Sequence, residues 1–123
     1  MSFDIKAFRP ESVADLADGL AEAISWAAAN WFSANFQAVK LHLIAISEAV
    51  MQTRWNLATG RIGRAEAATL MGIHNAALGA QMPGVKYGGY ELVQKVLDTA
   101  TKVLAYAVRN LTGINLAPHL IGS

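Results

Sequence analysis

Cysteine is absent from the 123 residues, which removes disulfide scaffolds, thiolate-ligated zinc and thiol nucleophiles together. Charge is scarce: 15% of residues are Asp, Glu, Lys or Arg, against about 25% in an ordinary globular domain. The net charge is +1, so no electrostatic grip on a phosphate backbone is expected, and nucleic acid is not an expected partner. Three prolines leave long stretches without a helix breaker. No alternating β-branched run marks a strand, and no internal repeat or low-complexity tract is present. A basic start followed by an apolar run is missing from residues 1–10, so no export signal is read and a cytoplasmic location is expected.

What is present is apolar. Hydrophobic residues make up 54% of the chain, enough for one buried core over residues 1–123 and not for two. With so few charges, part of the remaining surface must be apolar, and large apolar patches mark partners. Residues 23–39 and 67–85 carry no charge. Asn30, Ser33, Asn35 and Gln37 dilute the first, and His74, Asn75, Gln81 and Pro83 the second, so soluble helical core is preferred to a membrane span.

The pattern predicts an all-α fold. A long first helix is expected over about 11–58, opened by Pro10 in its first turn and either continuous or broken once, within 30–35. Uninterrupted, it would reach about 70 Å and could not be covered by the rest of the chain. On a helical wheel, Asp15, Asp18, Glu22, Asn30, Lys40, Glu48 and Arg54 share a sector of about 120°, leaving an apolar arc roughly twice the usual width. That arc predicts contacts on two sides, hence a helix shared between subunits. Gly60 and Gly63 bracket a turn. A hairpin follows over about 64–81 and 90–111, closed by Gly113, then an apolar tail (Ile114, Leu116, Leu120, Ile121) expected to dock. In the first hairpin helix, Ala65, Ala68, Gly72, Ala76 and Gly79 recur every three or four residues and predict a seam of close helix packing.

Chemistry is harder to find. His42, His74 and His119 lie in different segments, with no His pair at helical spacing and no Glu-x-x-His motif, so no metal and no cofactor are expected. Glu11, Asp15, Asp18 and Glu22 suit the start of a helix better than a catalytic cluster. No nucleophile elbow or phosphate-cradling loop occurs, and no catalytic residue is assigned. Asn35 and His42, one heptad apart, read as buried polar residues bonded across a subunit contact.

The expected function is therefore a non-enzymatic structural or adaptor subunit, assembling through apolar helix faces into a homo-oligomer or a larger complex with another subunit. The expected oligomer interface comprises Leu20, Ile24, Trp31, Asn35, Ala38, His42 and Ala45. A net −3 over residues 1–22 and +3 over 23–90 adds an electrostatic contact between Asp15, Asp18 and Glu22 and the arginines Arg54, Arg61 and Arg64 of a neighbour. Trp26, in the polar sector, is the expected partner anchor. The first alternative is a membrane-active helical protein: a small toxin, a channel former, or a virus-encoded membrane or virion component. A ligand-binding helical bundle, resting on His42 and His74, is the second.

Overall fold

The computed structural model describes residues 4–80 and 90–116, and among these every regular element is helical. A 3₁₀ turn at Ile5–Ala7 precedes α1 (Val13–Ala27), α2 (Ala29–Ala34), α3 (Phe36–Ala58), α4 (Arg64–Ala80) and α5 (Tyr90–Thr112).

The start of α1 is set by Ser12. Its hydroxyl accepts the Asp15 N–H at 3.1 Å, while the Asp15 carboxylate accepts the Glu11 N–H at 3.1 Å, a reciprocal cap of the capping-box kind. Pro10 is not in the first turn as expected; it lies buried upstream of the cap, because the capping side chain decides where the helix opens.

The first helix, expected either continuous or broken once within 30–35, is interrupted twice, at Asn35 inside that window and at Ala28 just before it. At Ala28 the backbone turns to φ −153°, ψ 66°, although its N–H still bonds the Ile24 carbonyl at 2.8 Å. At Asn35 it leaves helical geometry again, at φ −114°, ψ 16°, and the Asn35 carboxamide donates to the Trp31 carbonyl at 2.9 Å, satisfying the end of α2. Between the breaks, α2 laces the turn that sends α3 back along α1.

Four long helices then close a square. α1 packs on α3 and α5, α3 on α4, and α4 on α5, in up-down-up-down order. Leu16, Leu20 and Ile24 meet Val39, Leu43, Val50, Met71, Leu78, Val96, Val103 and Leu104 in one core. On α5, Val96, Ala100, Val103, Leu104, Ala105, Ala107 and Val108 are buried, a broad stripe because the helix has neighbours on both sides. Exposed surface totals 6588 Å², close to the ~6,400 Å² of a compact monomer of this mass. The first helix therefore needs no second chain to cover it.

The lower end is clamped through α5. Asn110 donates to the Lys6 and Phe8 carbonyls at 3.1 and 2.7 Å, and the Arg9 guanidinium donates to the Asn110 carbonyl. Arg64, the first residue of α4, donates to the Thr112 carbonyl at 2.9 Å. Two cations thus sit on the carbonyl end of α5, where the helix dipole favours them. Gly113, at φ +79°, ends that helix as expected. Of the tail, Ile114 is buried and Leu116 packs on the core; Leu120 and Ile121 lie outside the described residues, as does the expected turn at 82–89.

Phe8 lies across α1 at Gly19, where an added Cβ would come within 2.3 Å of the ring. In the intact chain Gly19→Ala must displace Phe8 and destabilise; once Phe8→Ala has removed the ring, the same change should stabilise by about 1 kcal/mol, the usual gain over glycine in a helix. Urea denaturation of both singles and the double variant checks this reversal of sign.

Candidate interaction surface

The expected interface residues separate in the structure. Leu20, Ile24 and Trp31 are 0–1% exposed within a single chain, so the expectation that they face a partner is corrected: the fold-back at Ala28 and Asn35 turns them into the core. Ala38 and Ala45 are exposed on α3, while Asn35 and His42 are half-buried.

Asn35 and His42 do not form a pair. The His42 Nε2 lies 3.1 Å from the Leu78 carbonyl, which only accepts, so the ring donates and ties α3 to α4. The predicted contact across subunits is a contact across one hairpin. His74 makes a second tie. Thr53 Oγ1 gives its proton to the Ala49 carbonyl at 3.0 Å and so accepts from His74 Nε2, 2.8 Å away. Burial lowers the His74 pKa below its ordinary value of 6.5.

The sign of the pH dependence follows. An unfolded His74 takes up a proton below about pH 6.5, whereas the folded ring resists until its lower pKa is reached. Its contribution to stability is therefore complete above pH 6.5 and is lost as the pH falls from there through the folded pKa. Thermal midpoints between pH 7.5 and pH 5 should drop more in the intact protein than in His74→Gln, whose amide still donates to Thr53.

The proposed charge contact also changes. Asp15, Asp18 and Glu22 are exposed along α1, and the turn carrying Arg61 lies at the same end of the bundle as the start of α1. Arg64 is engaged on Thr112, and Arg54 lines a depression of about 340 Å³ with Glu11, Glu48, Met51, Gln52 and Trp55. The antiparallel return of α3 places both clusters toward one end, so they do not form the opposed poles that a simple head-to-tail contact needs. A second depression, of about 450 Å³, lies over the solvated side chains Glu91, Gln94, Lys95, Asp98 and Lys102 of α5. Among the described residues no group of three or more His, Asp or Glu could hold a metal ion.

Exposed apolar surface remains. Leu41 is 68% exposed, Trp26 62%, Trp55 57% and Ile73 57%, and Phe36 is partly exposed beneath Lys40, whose Nζ sits 5.3 Å from the ring centroid. Trp26, the expected partner anchor, is exposed near the end of α1. The small-residue seam of α4 packs inside the hairpin only in part: Ala68 lies against the core and a Cβ at Gly79 would touch Leu97 of α5, whereas Ala65, Gly72 and Ala76 are exposed, because the bulkier Met71, His74 and Leu78 take the inner side. A Cβ at Gly72 would meet nothing within 4 Å. An exposed mid-helix glycine costs about 1 kcal/mol relative to alanine, and no contact among the described residues calls for it.

Sequence reasoning missed this outward α4 face. Its signal was the missing charge: between Ala67 and Ala80 no residue is ionised except through His74, an unusual composition for a helix with one side in water. Among the described residues no helix is long and apolar enough to cross a membrane. Compared with family models, curated proteins and solved structures, the chain matches none.

Proposed function

We propose that this chain is a non-enzymatic helical subunit that acts by presenting apolar helix surface to other protein chains, its own copies included. One observation carries the reading: Leu41, Ile73, Trp26 and Trp55, each more than half exposed, project from helices whose inner sides are already filled. Monomers tolerate scattered apolar residues, but here they accompany an α4 outer side that is nearly free of charge. The subunit closes its own core, so association adds to a folded chain and is not a condition of folding. Structural or adaptor roles in a cytoplasm or a particle fit such a module.

The test is mass by light scattering after size exclusion, without detergent, over a range of loading concentrations and at two salt concentrations. We expect mass to rise with concentration and to be little changed by salt, since the surfaces concerned are apolar. A monomer mass at every concentration would overturn the reading.

A further inference from the structure

We propose that the seat holding residues 4–9 is a peptide-binding site, and that a second copy of this chain fills it in trans with the same segment. The inference goes beyond the assembly reading above and uses none of the exposed apolar residues on which that reading rests.

The segment is a small folded unit. Its turn closes on itself: the Ala7 N–H donates to the Asp4 carbonyl and the Phe8 N–H to the Ile5 carbonyl, both at 3.3 Å. The Asp4 carboxylate accepts the Lys6 N–H at 3.1 Å. A piece already ordered in this way loses less freedom on docking.

The seat belongs to helices that pack on each other directly, α1 and α5, so it does not depend on its occupant for its shape. On α5, the Asn110 carboxamide donates to the Lys6 and Phe8 carbonyls at 3.1 and 2.7 Å. An amide nitrogen carries two protons, so this one side chain reads the main chain of alternate residues whatever their side chains. On α1, Gly19 leaves the furrow that the Phe8 ring fills, where a Cβ would stand 2.3 Å from the ring. A glycine weakens a helix, and here the ring is what calls for it. The Arg9 guanidinium adds a charge-assisted bond to the Asn110 carbonyl, in the last turn of α5. Two carbonyl positions, an aromatic furrow and a cation position define the ligand: a short turn ending in an aromatic and a basic residue.

The chain's own segment is the resident competitor. Pro10 ties it to the start of α1, where the Glu11 N–H is fixed on the Asp15 carboxylate at 3.1 Å. A tether that short gives an effective concentration of about 1 mM or more. One half-buried ring and three hydrogen bonds rank as a contact of about 100 µM. The tether therefore fills the seat in about nine copies of ten or more, and weakens binding in trans by about tenfold. Closure is autoinhibitory: a chain whose segment is released becomes donor and acceptor together. A second copy is the occupant that fits, because it carries the segment already seen in the seat, and exchange of identical elements needs no new surface.

Two variants of the intact chain separate donor from acceptor. Phe8→Ala/Arg9→Ala removes the segment's side-chain holds and leaves the seat. Gly19→Ala/Asn110→Ala spoils the seat and leaves the segment. Thermal melting first confirms that each is folded, and Phe8→Ala alone replaces the first pair if that pair unfolds the chain. Sedimentation equilibrium at about 300 µM should show a one-to-one complex in their mixture beyond the self-association of either variant alone. A labelled peptide of residues 4–11, followed by fluorescence anisotropy, needs no donor chain. We expect it to bind the acceptor variant at least about tenfold more tightly than the intact chain, and to lose at least about tenfold when it carries Phe8→Ala. An acceptor that binds the peptide no more tightly than the intact chain, or that does not distinguish the Phe8→Ala peptide, overturns the inference and leaves the assembly reading standing. Peptide binding as expected beside an intact chain that stays monomeric supports the inference and overturns the assembly reading.

Discussion

Trp31→Ala should remove about 3–5 kcal/mol of stability, a large part of what a domain of this size possesses. Trp31 is the largest fully buried side chain and the only buried residue of α2, so this six-residue helix is held to the bundle mainly through one ring. Truncation leaves a cavity at the point where the chain reverses, and α2 has too few residues to persist unsupported. A thermal midpoint roughly 10–20 °C lower is expected. Trp31→Phe should cost less, about 1–2 kcal/mol, because the indole N–H has no acceptor and its loss offsets part of the lost volume. A calorimetric series of tryptophan, phenylalanine and alanine at this position measures both.

Leu20→Ala should cost about 3–5 kcal/mol by the same mechanism, with one further property. Leu20 lies midway along α1, which is flanked by α3 on one side and α5 on the other, and its side chain is fully buried. If the loss belongs to the core of a single chain, it is the same at every protein concentration. If Leu20 instead faced a partner, the midpoint of the intact protein would climb with concentration and the variant would lose that dependence. Urea denaturation at two concentrations differing by about a hundredfold separates these outcomes; the single-chain core predicts coincident curves for each protein.

The hairpin was legible in the sequence almost to the residue. Expected helices at 64–81 and 90–111 stand at Arg64–Ala80 and Tyr90–Thr112, because the turn glycines, the one-sided stripe of α5 and the stop at Gly113 all agree. The first half was less legible. Nothing in Ala27-Ala28-Ala29 advertises a break, since alanine is the strongest helix former, and the interruption there comes from tertiary packing around Trp31. Once the helix breaks, its two halves fall out of phase, and a wheel drawn through both overlays two separate buried sides. The broad apolar arc therefore signalled two helices of one bundle and not one helix between two subunits. The seam of α4 was legible only in part for a related reason: small residues at helical spacing mark a smooth side, and spacing alone does not say that Ala68 faces in while Ala65, Gly72 and Ala76 face out.

Everything here depends on the first 58 residues folding back into an antiparallel pair, and an interspin distance tests that most directly. The chain has no cysteine, so Ala14→Cys and Gln52→Cys, both exposed, take labels without background. Val13 and Gln52 border the same depression, and adjacent helices pack about 10 Å apart, so the bundle predicts a separation below about 25 Å including the labels. A continuous helix would hold the same positions about 57 Å apart. Diluting labelled protein into an excess of unlabelled protein keeps the measurement within one chain. The short distance would establish the self-closed bundle; the long one would contradict it and restore a helix shared between subunits.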